Sequence, residues 1–213
     1  FQDKGRFHIQ HFGVTPGGVM DIKSFLIANA LVGNSFKEGV LEFAYQGPLL
    51  KLAKGKTKIS ITGKVIFKIM RLNGENIDGE CYRTYDLDEG DQIDILATKK
   101  SSYGYMALEG GFKLKSFCNS VSILVRAGIG PNEGKKIKAN DKINIKRNRI
   151  LKKDFKAQLS DDDKNIIRVL KGPQFDYFAK KSHKDFFSND YKITNLTDRM
   201  GMRLEGKIIE NIV

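Results

Sequence analysis

Lys58-Ile59-Ser60-Ile61-Thr62-Gly63-Lys64-Val65-Ile66-Phe67-Lys68-Ile69-Met70-Arg71-Leu72-Asn73-Gly74 is the stretch from which the fold is best read. Over 58–62 polar and apolar residues alternate, which is the period of a pleated strand. Residues 65–72 continue as a second strand into Asn73-Gly74, a hairpin-turn dipeptide because both residues tolerate positive φ. Downstream, Glu89-Gly90-Asp91 precedes Gln92-Ile93-Asp94-Ile95-Leu96, and Ala139-Asn140-Asp141 precedes Lys142-Ile143-Asn144-Ile145-Lys146. The same turn-then-strand pattern thus occurs twice, with the isoleucines of each copy on one face. Upstream lies the clearest helix. Asp21 can cap it, Phe25, Leu26, Ala28 or Asn29, and Leu31 or Val32 recur at helical spacing, and Gly33 can end it. A mainly β chain with a few short helices is the expected class.

From Arg149 to Asn165 the chain turns polar, including Asp161-Asp162-Asp163, and apolar patterning returns at Ile166. This predicts a β domain over 1–150, a linker over 151–165 and a second β unit from 166 to 213. The acidic triplet reads as a solvated loop rather than a cation site, because no other ligands stand at coordination spacing. Gly172-Pro173-Gln174-Phe175-Asp176-Tyr177-Phe178 predicts a turn followed by a short helix.

With 213 residues, 40% hydrophobic and 29% charged, the composition is that of a folded soluble protein and excludes wholesale disorder. No apolar run has the length of a membrane span, and the opening Phe1-Gln2-Asp3-Lys4 does not resemble a signal segment. Only Cys81 and Cys118 occur, in no metal-binding spacing, which suits a reducing cytoplasm and no structural metal. The net charge of +12 invites a nucleic-acid reading. The lysines at 51, 54, 56 and 58, at 99 and 100, at 135, 136 and 138, and over 142–153 lack interleaved aromatics, however. They read first as a solvated surface, next as attraction for small anions, and last as a nucleic-acid face.

Several motifs fail. Gly55-Lys56-Thr57 resembles the end of a phosphate loop, but Leu50 stands where the loop needs its first glycine. Gly128 and Gly130 are followed by glycine at 134, one residue late for a dinucleotide fingerprint. His8 and His11 lie in a segment read as extended, where packing or substrate hydrogen bonding is favoured over a metal. Two segments carry more. Pro16-Gly17-Gly18-Val19-Met20-Asp21 is a glycine turn running into a helix. It suits either a pocket for an oxyanion or carboxylate, or a plain turn with Asp21 as N-cap. In Asp198-Arg199-Met200-Gly201-Met202-Arg203-Leu204-Glu205-Gly206, an extended chain would put Met200, Met202 and Leu204 on one face and Arg199, Arg203 and Glu205 on the other. Two guanidiniums could hold a carboxylate, with Glu205 orienting them and Asp198 available for proton transfer. A half-buried strand with a solvated charged face remains the alternative.

Taken in order, these and other segments resemble a known family. They are Gln2-Asp3-x-Gly5-Arg6, Pro16-Gly17-Gly18-x-Met20-Asp21, Ala28-Asn29, Val32-Gly33-Asn34, Leu41-Glu42, Gly47-Pro48, Ile61-Thr62-Gly63, Arg126-Ala127-Gly128 and the block Asp198–Gly206. The set resembles the biotin-dependent carboxyltransferase-like family, which takes in the 5-oxoprolinase C subunit, allophanate hydrolase subunit 2 and urea amidolyase-related proteins. The resemblance implies a cyclophilin-like β-barrel architecture in two subdomains. It also implies a B-subunit partner, a third subunit, and ATP-dependent opening of 5-oxoproline to glutamate. Urea-degrading relatives instead move a carboxyl group from carboxybiotin to urea, and other relatives regulate a B-subunit homologue by binding it. The expected catalytic residues are Asp21, Asp198, Arg199 and Arg203. The expected substrate contacts are Pro16, Gly17, Gly18, Met20, Arg126 and Glu205. ATP is the nucleotide that the resemblance implies, with its place left open between this chain and its partner subunits.

Departures from the family pattern are local and terminal. Ser120-Val121-Ser122-Ile123 replaces a Ser-Arg-Ser-Thr block, and the following loop is Gly130-Pro131-Asn132-Glu133-Gly134. No Met-Lys-Met biotin-attachment motif occurs. The family's later Gln-Thr-Thr-Gly-Gly-Tyr-like block has no counterpart before Val213, so the second subdomain is expected to be incomplete.

Overall fold

The computed structural model describes residues 1–146, 153–159, 167–199 and 201–212. The chain divides into two compact units, Phe1–Leu159 and Ser160–Val213. Among the described residues it is mainly β, with two α-helices and antiparallel sheets.

In the first unit the strands are β1 (Leu41–Ala44), β2 (Leu49–Lys51), β3 (Thr57–Thr62), β4 (Val65–Met70), β5 (Asn76–Asp78), β6 (Thr84–Leu87), β7 (Gln92–Thr98) and β8 (Tyr103–Leu108). They form two four-stranded sheets, ordered β1-β8-β3-β6 and β2-β7-β4-β5. One core joins them: Leu41, Phe43, Ile59, Ile61, Met106 and Leu108 from the first sheet, and Val65, Phe67, Ile69, Ile93 and Ile95 from the second.

The opposite face of the first sheet is covered by α1 (Ile22–Leu31), where Phe25, Ala28 and Val32 pack with Tyr105 and Ala107. β3 is therefore buried on both faces, and its polar residues find partners. Ser60 Oγ donates to the Ala28 carbonyl at 2.7 Å and Thr62 Oγ1 to that of Ser24 at 2.9 Å. Lys58, read as a surface lysine, has a side chain only 1% exposed and sits 2.8 Å from Asp86 and 2.5 Å from Asp154. Alternation predicted the strand but not the helix lying across its polar face.

The 73–74 hairpin forms, joining β4 to β5 with Ile69 opposite Ile77. Only Gly74 takes positive φ (90°), and Arg71 pairs with Glu75 around a three-residue loop closed by the Gly74 N–H to the Arg71 carbonyl at 3.0 Å. The two Gly/Asn-Asp turns also match. Asp91 accepts from the Asp88 N–H at 2.9 Å, and Asp141 from the Lys138 N–H at 2.8 Å. Each aspartate follows a left-handed residue, Gly90 or Asn140. The first turn launches β7. The segment after the second makes a single bridge, Phe112 to Ile145, although Ile143 and Ile145 still pack on the same core.

Residues 153–159, inside the stretch read as a linker, pair with the first unit: Thr84 N–H donates to the Phe155 carbonyl at 2.9 Å and Ala157 N–H to that of Tyr82 at 2.8 Å. The triplet 161–163 lies outside the described residues. In the second unit a 3₁₀ turn at Phe175–Tyr177 precedes α2 (Lys180–Ser188), and β9 (Tyr191–Asp198) pairs with β10 (Gly201–Gly206). His183 stacks on Phe175 with ring centroids 3.7 Å apart, and Ser182 Oγ is held to the Glu210 main chain at 3.1 and 3.0 Å.

Candidate functional site

The glycine turn of the first unit lies against residues 2–6, because neither backbone carries a side chain where they meet. A Cβ on Gly18 would sit 2.9 Å from the Lys4 carbonyl oxygen, and one on Gly17 would sit 2.5 Å from Ser122 Oγ. Both glycines have positive φ, 66° at Gly17 and 97° at Gly18. Arg6 N–H donates to the Pro16 carbonyl at 2.8 Å and Val19 N–H to that of Asp3 at 2.9 Å.

Ser122 is the hub beneath this turn. Its Oγ accepts from the Gly18 N–H at 2.7 Å and donates to Gln2 Oε1. Its N–H donates to Ser120 Oγ at 3.0 Å, and its carbonyl accepts from Arg6 Nη2. Asp3 is filled as well, accepting from Gly5 N–H (2.8 Å), Ser120 Oγ (2.7 Å) and Val121 N–H (2.7 Å). Both serines of the departing 120–123 block therefore have structural roles. Burial pulls the Arg6 guanidinium below its usual pKa, and the nearby Asp3 carboxylate opposes that.

The expected donors are largely spoken for. Gly18 N–H is bound to Ser122, Met20 N–H to Glu42 Oε2 at 2.9 Å, and Asp21 N–H to the Tyr105 hydroxyl at 2.7 Å. Burial holds the Tyr105 phenol well above its ordinary range, so it stays protonated. Asp21 caps α1, its two oxygens accepting from Ser24 N–H (3.1 Å) and Ser24 Oγ (2.5 Å). Arg126 is exposed, on the 3₁₀ turn Val125–Ala127. That turn follows Leu124, whose Cδ2 lies 3.2 Å from where a Gly17 Cβ would be. Pro16, Gly17, Gly18 and the Arg126 turn are thus brought together in the first unit.

Asp198, Arg199, Arg203 and Glu205 belong to the second unit. Asp198 ends β9 and accepts from the Gly201 N–H at 3.3 Å, while Arg199 sits in the turn rather than in a strand. Register shifts between Met202 and Leu204, so Arg203 lies at an irregularity. No face of β10 is buried: Met202 and Leu204 are 52% and 48% exposed, against the expectation of a packed apolar side. Met200 lies outside the described residues. Desolvation lowers the Arg199 pKa, though the residue keeps much of its surface open. Sequence reasoning did not assign Gln2, Asp3, Arg6, Ser120 or Ser122 to a site. The Gln2-Asp3-x-Gly5-Arg6 motif was the available signal, but its partners lie more than a hundred residues on.

The profile of the carboxyltransferase domain, subdomain A and B, matches residues 12–212. The chain belongs to this family. This carboxyltransferase domain is 29% identical over 209 residues to the C subunit of Haemophilus influenzae 5-oxoprolinase, covering 98% of the chain and 66% of that protein. It is 26% identical to the Escherichia coli protein of the same name, again covering 98% of the chain and 66% of the relative. It is 27% identical to urea amidolyase of Saccharomyces cerevisiae, covering 95% of the chain and 11% of that protein. The chain therefore spans just under two thirds of the length of the 5-oxoprolinase relatives that it matches. Among solved structures, TTHA0988 superposes with a TM-score of 0.80 at 26% identity, over 99% of this chain and 74% of that one. Urea carboxylase of Kluyveromyces lactis shares the fold, with a TM-score of 0.80 at 24% identity over 100% of this chain and 20% of that one.

Proposed function

We propose that this carboxyltransferase domain acts as the C subunit of an ATP-dependent 5-oxoprolinase, with a B-subunit homologue and a third subunit, in the cytoplasm. The observation that carries the reading is 29% identity to a 5-oxoprolinase C subunit along almost the whole chain. The free thiols Cys81 and Cys118 suit a reducing compartment. No helix among the described residues is long and apolar enough to cross a membrane. Arg199 and Arg203 are proposed to engage a substrate carboxylate or carbonyl, with Asp198 and Glu205 beside them in sequence. On the first unit taken by itself, the turn at Gly17 and the nearby Arg126 are proposed as contacts for a small polar ligand.

ATP is assigned to the partner subunits. The Gly55-Lys56-Thr57 stretch is already engaged within the fold: Lys56 pairs with Asp88 at 2.7 Å, and Gly55 N–H donates to Glu89 Oε2 at 2.9 Å. A triphosphate there would have to displace both carboxylates.

Reconstitution with the neighbouring-gene subunits should give ATP-dependent glutamate release from 5-oxoproline. Its absence with every subunit present would overturn the reading. The relationship to urea amidolyase supports a second reading, carboxyl transfer to urea, which requires a biotin-carrying partner. Turnover of urea and bicarbonate once a biotin-carrying partner is added would favour it. A complex that survives Arg199→Ala and Arg203→Ala with no turnover of either substrate would point to a regulatory module.

A further inference from the structure

Arg6 is a buried cation that has the Asp3 carboxylate nearby but keeps part of its hydrogen-bonding capacity unfilled. The residue is 1% exposed. Its Nη2 donates to the Ser122 carbonyl, whereas Nε and Nη1 are buried without a hydrogen-bond partner among the described residues. Asp3 does not fill the gap, since its oxygens are taken by Gly5, Ser120 and Val121. One side of the guanidinium is covered by the Phe117 ring, 6.0 Å from Cζ to centroid. A buried cation is ordinarily paired, because desolvating it alone is costly.

Nη1 lies under Gly17. A Cβ built on that residue would sit 3.3 Å from Nη1, while Gly17 itself is exposed. The side-chain position that Gly17 leaves empty is therefore lined by Nη1, Ser122 Oγ and Leu124 Cδ2.

We infer that Arg6, reached past the exposed Gly17, is a binding site for a small oxyanion of the carboxylate class. Arginine donors match the planar oxygens of such a group. The site is not a helix N-terminus, because the entry to α1 is closed by Asp21 and Glu42. Two sources share this chemistry: the carboxylate of a substrate such as 5-oxoproline, and bicarbonate. The oxyanion site stands without the activity proposed above; only its assignment to 5-oxoproline rests on that reading, and the acetate test does not read turnover.

The ¹⁵N-labelled 213-residue protein would be titrated with sodium acetate at constant ionic strength, with chloride as the counter-titrant. The Arg6 Nε–H signal, identified by its loss in Arg6→Lys, and the main-chain amides of Gly17, Gly18 and Ser122 should move together and saturate. Reading those amides in the unsubstituted protein keeps the test valid if Arg6→Lys fails to fold. Gly17→Ala, whose methyl would crowd Nη1 and Ser122 Oγ, should weaken acetate at least ten-fold. Titrations with 5-oxoproline and with bicarbonate assign the source by which saturates at the lower concentration; equal values leave the oxyanion site standing with both as ligands. Shifts that rise linearly without saturating, or that chloride reproduces, would overturn the site.

Discussion

At the scale of single residues, Ser122 and Lys58 show how buried polar groups are held. Ser122 is fully buried and its hydroxyl serves Gly18 and Gln2 at once. Ser122→Ala would strand both partners and should cost about 1–3 kcal/mol, measured by urea denaturation. Lys58 titrates under opposed influences: desolvation pulls its pKa down, and hydrogen bonds to Asp154 and Asp86 outweigh it, leaving the pKa raised. The sign follows. A raised folded-state pKa contributes stability that is complete below the unfolded value, about 10.4, and fades as pH rises through the folded value. The urea midpoint should therefore fall above about pH 10 in the unsubstituted protein. That step should be missing from the profile of Lys58→Met.

At the scale of elements, the local ones were readable and the reasons are visible. α1 obeys its own sequence: Asp21 caps it, Val32 closes it, and the buried positions recur at helical spacing. Asp21→Ser keeps a capping oxygen and should retain stability, whereas Asp21→Ala should lose about 1 kcal/mol. If the proposed function holds and capping is the whole role of Asp21, Asp21→Ser keeps the glutamate release of the reconstituted preparation; a large loss with intact stability would give the carboxylate a part in the chemistry. In the hairpin, Gly74→Ala forces a methyl into a φ of 90° and should destabilise by about 1 kcal/mol or more in thermal or urea melts. The second Asn-Asp turn was equally legible, but its strand was not, since pairing depends on neighbours that a local pattern does not name. The same limit hid the Arg6 cluster. Its motif could be read, but its partners at 120–123 could not be deduced from spacing. For β10 the alternating Met202-Arg203-Leu204 predicted one packed face, yet both faces are open.

At the scale of the whole molecule, the two units differ in how much each strand is enclosed. β3 is sealed between the core and α1, while β10 is exposed along its length. Native-state hydrogen exchange should find the slowest amides in β3 and its partner β8, and those of β9 and β10 exchanging well before them. Comparable protection in both places would contradict the burial seen here. The network around Arg6 also has a consequence for synthesis. Gln2 is bonded to Ile123, Asp3 to Ser120 and Arg6 to Ser122, spans of 116 to 121 residues. A ribosome adding roughly 5–20 residues per second delivers one half of that network on the order of ten seconds before the other. Until the serine segment emerges, the nascent chain must hold residues 2–6 in water, and the first unit cannot lock shut co-translationally any earlier than that.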